Sequence, residues 1–158
     1  MNDCTHPNTF GDSDGSIRCG RCGITMPKPS TARPYLAGAI RGCSDSEAMD
    51  WRRDALRIWP QALDPMVRDY RGKEADNYRE VVDLDKRDIA ASDALLVCYR
   101  QPSVGTSMEV LLAWQLGKPI VIWHDGTDSI SPWLRYHSTA IVYSWKAAVE
   151  KLQMIFGQ

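Results

Sequence analysis

The chain has 158 residues, 44% of them hydrophobic, and a formal charge of −1 at neutral pH. That length and apolar content suit one main domain with a real core and a small appendage. The near-neutral balance sets up no strong field toward nucleic acid or an acidic membrane, no apolar run is long enough to span a bilayer, and the opening MNDCTHPN is not a signal peptide, so a soluble cytoplasmic protein is the expectation.

Residues 1–30 are rich in Cys, Gly, Asp, Ser and Pro and lack helical periodicity. Met26-Pro27-Lys28-Pro29-Ser30 reads as a linker. The expected division is a zinc-binding segment plus linker over 1–30 and an α/β domain over 31–158. Cys4-x-His6 and Cys19-Gly-Arg-Cys22-Gly23, with twelve residues between the two pairs, offer four ligands able to close a tetrahedron around zinc as a knuckle or ribbon-like unit. Such a saturated site is structural and folds a segment too small to bury its own core. A tail with incidental cysteines, or a redox pair at Cys19 and Cys22, is the competing reading. An odd total of five cysteines without an export signal argues against a disulfide scaffold. Cys98, inside an apolar run, reads as a buried small hydrophobe, and Cys43 as either inert or near a site.

From Tyr35 the pattern becomes regular. A strand is predicted over 35–40, followed by the loop Arg41-Gly42. Ser44 or Asp45 caps a helix over 46–59, which Pro60 breaks. Around Pro65, residues 62–67 suit a short strand. A helix over 77–91 is expected to turn Val81, Val82, Ile89 and Ala90 inward. A strand over 94–99 precedes a helix over 106–116 with Met108, Leu111, Leu112 and Leu116 at helical spacing. Gly117 and Pro119 stop that helix. Strands over 119–123 and 140–144 and a closing helix over 145–156 complete the chain. The strands are continuous apolar runs, as in parallel strands covered on both faces, so the predicted fold is a flavodoxin-like, doubly wound, five-stranded parallel sheet.

The stretch 94–123 is the most informative. An apolar strand enters a small polar loop containing Ser103 and Gly105, and a helix opens there with the early carboxylate Glu109. In open α/β folds this edge binds ligands, and free N–H groups at a helix start favour an anion. The loop Gly38-Ala39-Ile40-Arg41-Gly42 is expected beside it, adding a guanidinium suited to phosphate. Thr106-Ser107-Met108-Glu109 also matches a capping box, in which Glu109 would fold back on its own main chain. Neither a GxGxxG fingerprint nor a P-loop is present, so no organic cofactor is expected. In the acidic run Asp83, Asp85, Asp88 and Asp93, most members read as a solvated helix face; Asp93 turns the chain into the strand.

Tyr35-Leu36-Ala37-Gly38-Ala39-Ile40-Arg41-Gly42 resembles the pattern Y-x-x-G-S-I-R-G of the nucleoside 2-deoxyribosyltransferase superfamily, with Ala39 in place of serine. Gln101-Pro102-Ser103-Val104-Gly105-Thr106-Ser107-Met108-Glu109 resembles its Q-P-S-x-G-x-x-x-E loop. Asp85 followed by Asp93 resembles the acidic pattern ahead of the third strand, and Gly117-Lys118-Pro119 the following turn. The likeness covers about 34–145 and is nearest the branch of 2′-deoxynucleoside 5′-phosphate N-hydrolases.

The resemblance implies N-glycosidic cleavage, with Glu109 as nucleophile at C1′ and Asp85 assisting the leaving base or orienting the sugar. The helix start is expected to keep Glu109 ionised. Gly38, Ile40, Arg41, Gly42, Ser103 and Gly105 would hold substrate and phosphate. Ser131 loosely resembles a serine that reaches a neighbouring subunit's phosphate site, alongside a surface-loop reading. Where relatives acting on free nucleosides carry an acid, Ser103 leaves room for a 5′-phosphate. The expected activity is hydrolysis of a (deoxy)nucleoside monophosphate; transfer of deoxyribose between bases is the enzymatic alternative. A non-catalytic nucleotide sensor with a zinc-dependent partner module is the alternative from another class. A cytokinin-nucleotide phosphoribohydrolase ranks lower, because the double glycine before its motif is missing. The resemblance also implies a homodimer or larger homo-oligomer.

Overall fold

The computed structural model describes residues 9–11, 17–19, 25–26, 31–127 and 129–157, the first three stretches in backbone only. Cys4, His6 and Cys22 lie outside the described residues, and only the backbone of Cys19 is described.

Three short strands, β1 (Thr9–Gly11), β2 (Ile17–Cys19) and β3 (Thr25–Met26), form an antiparallel sheet in that order. Met26, read as the start of a linker, belongs to β3.

The main sheet is parallel and runs β4 (Pro34–Gly38), β5 (Ala94–Tyr99), β6 (Ile120–His124), β7 (Ala140–Val142). All residues of β4 and β5 are buried, as two-sided covering requires. The expectation of five strands is corrected to four. In place of the fifth there is a single parallel bridge, Tyr35 to Leu63. There the Leu63 N–H donates to Pro34 O at 2.9 Å and the Leu36 N–H to Leu63 O at 3.0 Å. Pro65 lacks the N–H that a ladder needs, so the chain leaves the edge at once. Asp64 accepts from the Met66 N–H and caps a 3₁₀ turn, Pro65–Arg68. With the bridge included, the spatial order is that of a flavodoxin-like sheet, with its switch point between β4 and β5.

Helix α1 (Asp45–Ile58) opens on a complete capping box, with Ser44 as N-cap and Glu47 reciprocating. Together with α5 (Trp145–Ile155) it covers the sheet face bearing Leu36, Leu96, Cys98 and Val121, where Trp51, Trp59 and Leu152 pack. The opposite face bears Tyr35, Ala37, Leu95, Val97 and Ile122. It is covered by α2 (Glu74–Ala91), α3 (Val104–Gln115) and the short α4 (Pro132–Tyr136). Truncating a core residue such as Leu96, fully buried here, costs about 2–5 kcal/mol.

Two helical faces differ from the periodicity reading. On α2, Ile89 is buried as expected, but Val82 and Ala90 are exposed and Asp88 is buried, because the inward side also carries an acid that meets Arg68. On α3, Met108 and Leu116 are exposed and the buried stripe is Thr106, Val110 and Ala113. The helix starts two residues earlier than predicted. It ends as predicted: Gly117 has φ 69°, its N–H bonds Trp114 O, and the Lys118 N–H bonds Ala113 O in a Schellman arrangement.

Candidate active site

Adjacent parallel strands β4 and β5 end together, Gly38 opposite Cys98, so their following loops rise side by side at the carboxyl edge. A cleft of about 440 Å³ opens there. Its walls come from the loop after β4, the 3₁₀ turn and the segment to α2, the inner side of α2, and the start of α3.

Most of the sequence-nominated residues meet in this cleft: Gly38, Ile40, Arg41, Asp85, Ser103, Gly105 and Glu109 all line it. Gly42 does not; it supplies the turn behind Arg41 with φ 77°. Ser131 is not brought to the cleft of its own chain and instead caps α4, accepting from the Trp133 N–H at 3.2 Å. Gly38 has a packing reason to be glycine. A Cβ there would lie 3.0 Å from the Trp51 ring and 3.1 Å from Cys98 O.

The α3 start decides between the two readings of Glu109. The N-cap is Ser103, whose hydroxyl accepts from the Thr106 N–H at 3.3 Å, and the Ser107 N–H bonds Ser103 O. The alternative reading, a capping box at Thr106, is therefore absent, and Glu109 lies in the second turn. Its Oε1 accepts from the Tyr35 hydroxyl at 2.8 Å, at the cleft. The N–H groups of Val104 and Gly105 have no hydrogen-bond partner among the described residues, leaving two donors at the positive end of the helix. Arg41, exposed on the facing loop, makes no ion pair among the described residues.

Burial pushes the Glu109 carboxyl up to about 7; the Tyr35 hydrogen bond and the charge of Arg52 pull the other way, and Asp85 adds to the rise. Burial thus outweighs the helix start in setting the proton affinity of Glu109, because the carboxyl is sheltered and lies six residues beyond the cap. Burial likewise raises Asp85 above the ordinary carboxyl range, against the pull of Arg68 and the Tyr35 hydroxyl. Both acids beside the Tyr35 hydroxyl therefore bind protons more tightly than ordinary carboxyls.

Sequence reasoning missed Arg68, Arg71 and the part of Tyr35. Arg68, on the 3₁₀ turn, reaches Asp88 at 2.7 Å and Asp85 at 3.3 Å, so the acidic run is partly neutralised from across the cleft. Arg71 joins Asp69 and Asp45, each at 2.6 Å, and so ties the segment before α2 to the start of α1. Tyr70, Met66 and Val81 add aromatic and apolar wall. Among the described residues no group of His, Cys, Asp and Glu is placed to hold a metal. No helix among them is long and apolar enough to cross a membrane.

No family model and no curated protein matches the chain. Among solved structures it is similar to the 2-deoxyribosyltransferase of the psychrotolerant bacterium Bacillus psychrosaccharolyticus, with a TM-score of 0.63 and 17% identity over 73% of this chain and 89% of that one. Similarity to the CMP N-glycosidase of Clostridium botulinum gives a TM-score of 0.48 and 16% identity over 75% of this chain and 98% of that one. The parallel α/β domain thus has the fold of the Bacillus 2-deoxyribosyltransferase.

Proposed function

We propose that this chain cleaves the N-glycosidic bond of a (deoxy)nucleoside 5′-monophosphate through a covalent glycosyl intermediate on Glu109, releasing the base and then the sugar phosphate to water. The observation that carries the reading is the Tyr35–Glu109 contact, 2.8 Å, in a cleft that also holds Asp85 and two unpartnered N–H groups. The shared fold with a 2-deoxyribosyltransferase supports glycosyl chemistry of this general kind.

In the first step a Glu109 oxygen attacks C1′ as the C1′–N bond breaks. The electron pair leaves with the base, and the proton on Asp85 passes to it. In the second step Asp85, now a carboxylate, takes a proton from water. The water oxygen attacks C1′, and the C1′–O bond to Glu109 breaks to restore the carboxylate. The sequence of two displacements parallels retaining glycosidases. The Tyr35 hydroxyl orients Glu109 and stabilises its charge. The Val104 and Gly105 N–H groups with Arg41 would take the phosphate, and uncharged Ser103 avoids like-charge repulsion there.

A second reading, transfer of deoxyribose to an acceptor base, differs only in what attacks the intermediate. Incubation with a panel of nucleotides and nucleosides, with and without an acceptor base, followed by chromatography of the released bases, tests both. Faster turnover of the nucleoside than of its monophosphate would defeat the phosphate assignment.

Two further readings accompany this one. Large apolar side chains are exposed on both helices beside the cleft, Tyr78 and Val82 on α2 and Val104 and Met108 on α3, which supports a homo-oligomer. A single-chain mass by light scattering would oppose it. The spacing of Cys4, His6, Cys19 and Cys22 supports a structural zinc at the amino-terminal segment.

A further inference from the structure

Arg52 lies on α1, on the opposite side of the sheet from α2 and α3, and is 1% exposed. A buried guanidinium needs partners on every side. It donates to Gly38 O at 3.1 Å, to Leu36 O at 3.4 Å and to Ala48 O, and stacks over the Trp51 ring at 4.5 Å. Its Nε makes no hydrogen bond but lies 3.3 Å from Asp64 Oδ1 as an ion pair, and Asp64 in turn caps the 3₁₀ turn. One side chain therefore joins the last carbonyls of β4, where the cleft loop departs, to the segment that carries Met66 and Arg68. Those are two separate walls of the cleft.

We infer that Arg52 is a positioning residue for the reaction proposed above: it fixes the loop after β4 and the 3₁₀ turn relative to each other, and it places a permanent positive charge against β4, the strand whose Tyr35 holds Glu109. The inference rests on that functional reading for its kinetic consequences but not for its electrostatic one. Arginine suits the task because it stays charged when buried and its planar fork serves several carbonyls at once. Lysine would keep the charge and lose the fork.

The groups acting on Glu109 come from three directions. Tyr35 on β4 donates to it, Asp85 on α2 repels its ionised form, and Arg52 on α1 favours that form. Asp64 offsets part of Arg52's charge, and burial holds Asp64 above the ordinary carboxyl range. Arg68, from the 3₁₀ turn, acts on Asp85 and Asp88. With Arg52 gone, Tyr35 alone of these would oppose the upward displacement of Glu109.

The test compares three full-length proteins: wild type, Arg52→Lys, and Arg52→Met/Asp64→Asn. The double variant removes both buried charges together, so neither is left unpaired, and asparagine can still cap the 3₁₀ turn. Each is followed by the pH profile of kcat/KM on a nucleoside monophosphate and by 13C NMR titration of the Glu109 carboxyl, assigned with Glu109→Gln. The lysine variant should keep the acid limb within a few tenths of a pH unit and lose about tenfold in kcat/KM as the walls loosen. The folded double variant should move both the limb and the NMR midpoint upward by more than half a unit. Wild-type kcat/KM in the lysine variant, or an unmoved midpoint in the folded double variant, overturns the inference. Should the double variant not fold, the lysine variant decides alone. The NMR midpoint needs no turnover, so an inactive wild type counts against the proposed reaction and leaves the electrostatic claim to be judged by the titration.

Discussion

The Tyr35 hydroxyl and Glu109 Oε1 are 2.8 Å apart although 74 positions separate them in sequence. Tyr35 enters from the first parallel strand and Glu109 from the helix after the second, and the parallel register of β4 and β5 brings them together. The phenol is itself held protonated by burial and by the adjoining Glu109, and it donates to that carboxyl. It therefore favours the ionised carboxylate that a nucleophile needs. Tyr35→Phe should raise the Glu109 midpoint above about 7 and shift the acid limb of kcat/KM the same way. Loss of the hydrogen bond should cost about 1 kcal/mol in stability. An acid limb unchanged in the phenylalanine variant would show that the hydroxyl does not act on the reacting carboxyl.

Stability should carry the mark of the same carboxyl. Native Glu109 holds its proton up to about pH 7, whereas in the unfolded chain it titrates near 4.5. Between those values the native state binds more protons, so this group's contribution falls as pH rises through the window. Asp85, also raised, acts with the same sign. Glu109→Gln should remove much of this slope and leave the protein more stable than wild type at pH 8, by at most about 3 kcal/mol. Urea denaturation at pH 5, 6.5 and 8 measures it. Parallel pH curves for the two proteins would contradict the assignment.

The phosphate reading turns on Ser103. Aspartate is as good an N-cap as serine, so Ser103→Asp should leave α3 intact. It should nonetheless set a negative charge at the anion-accepting end and raise KM for a monophosphate at least tenfold, with little effect on the free nucleoside. Arg41→Ala should act in the same direction and weaken the salt dependence of KM. Equal effects on nucleotide and nucleoside would show that neither residue meets the phosphate.

For the amino-terminal segment the expected outcome is zinc bound at one equivalent per chain and released by chelator at low pH, where the thiols and His6 become protonated. Cys19→Ser/Cys22→Ser should abolish it, as measured by elemental analysis. Stoichiometric zinc retained by that double variant would refute the ligand set.

The four parallel strands and the place of α3 were legible because a covered parallel sheet writes itself as short apolar runs, seen in Ala94–Tyr99, which matches the prediction residue for residue, whereas the short antiparallel strands β1–β3 were not. The nominated cleft residues were legible because strand, loop and helix start follow one another in the chain. Long-range arginine contacts were not. Arg52 meets Leu36 and Gly38, Arg68 meets Asp85 and Asp88, and no local period marks such pairs. The fifth strand failed for a related reason. Ala62 and Leu63 have strand-like character, but Pro65 permits only one bridge before the ladder ends. The α2 face was misjudged in part because only apolar spacing was weighed, whereas Asp88 shares the buried side with Ile89 and is neutralised by Arg68 from another element.

The central claim is that Glu109 does chemistry on the anomeric carbon. The most direct measurement is the rate of free-base release from a nucleoside 5′-monophosphate by wild type and by Glu109→Gln, with nucleotide binding followed in parallel by calorimetry. The account predicts base release by the wild type and a loss of at least a thousandfold in the variant, with binding retained. Base release by the variant at the wild-type rate, or nucleotide binding by the wild type with no base released, would contradict it.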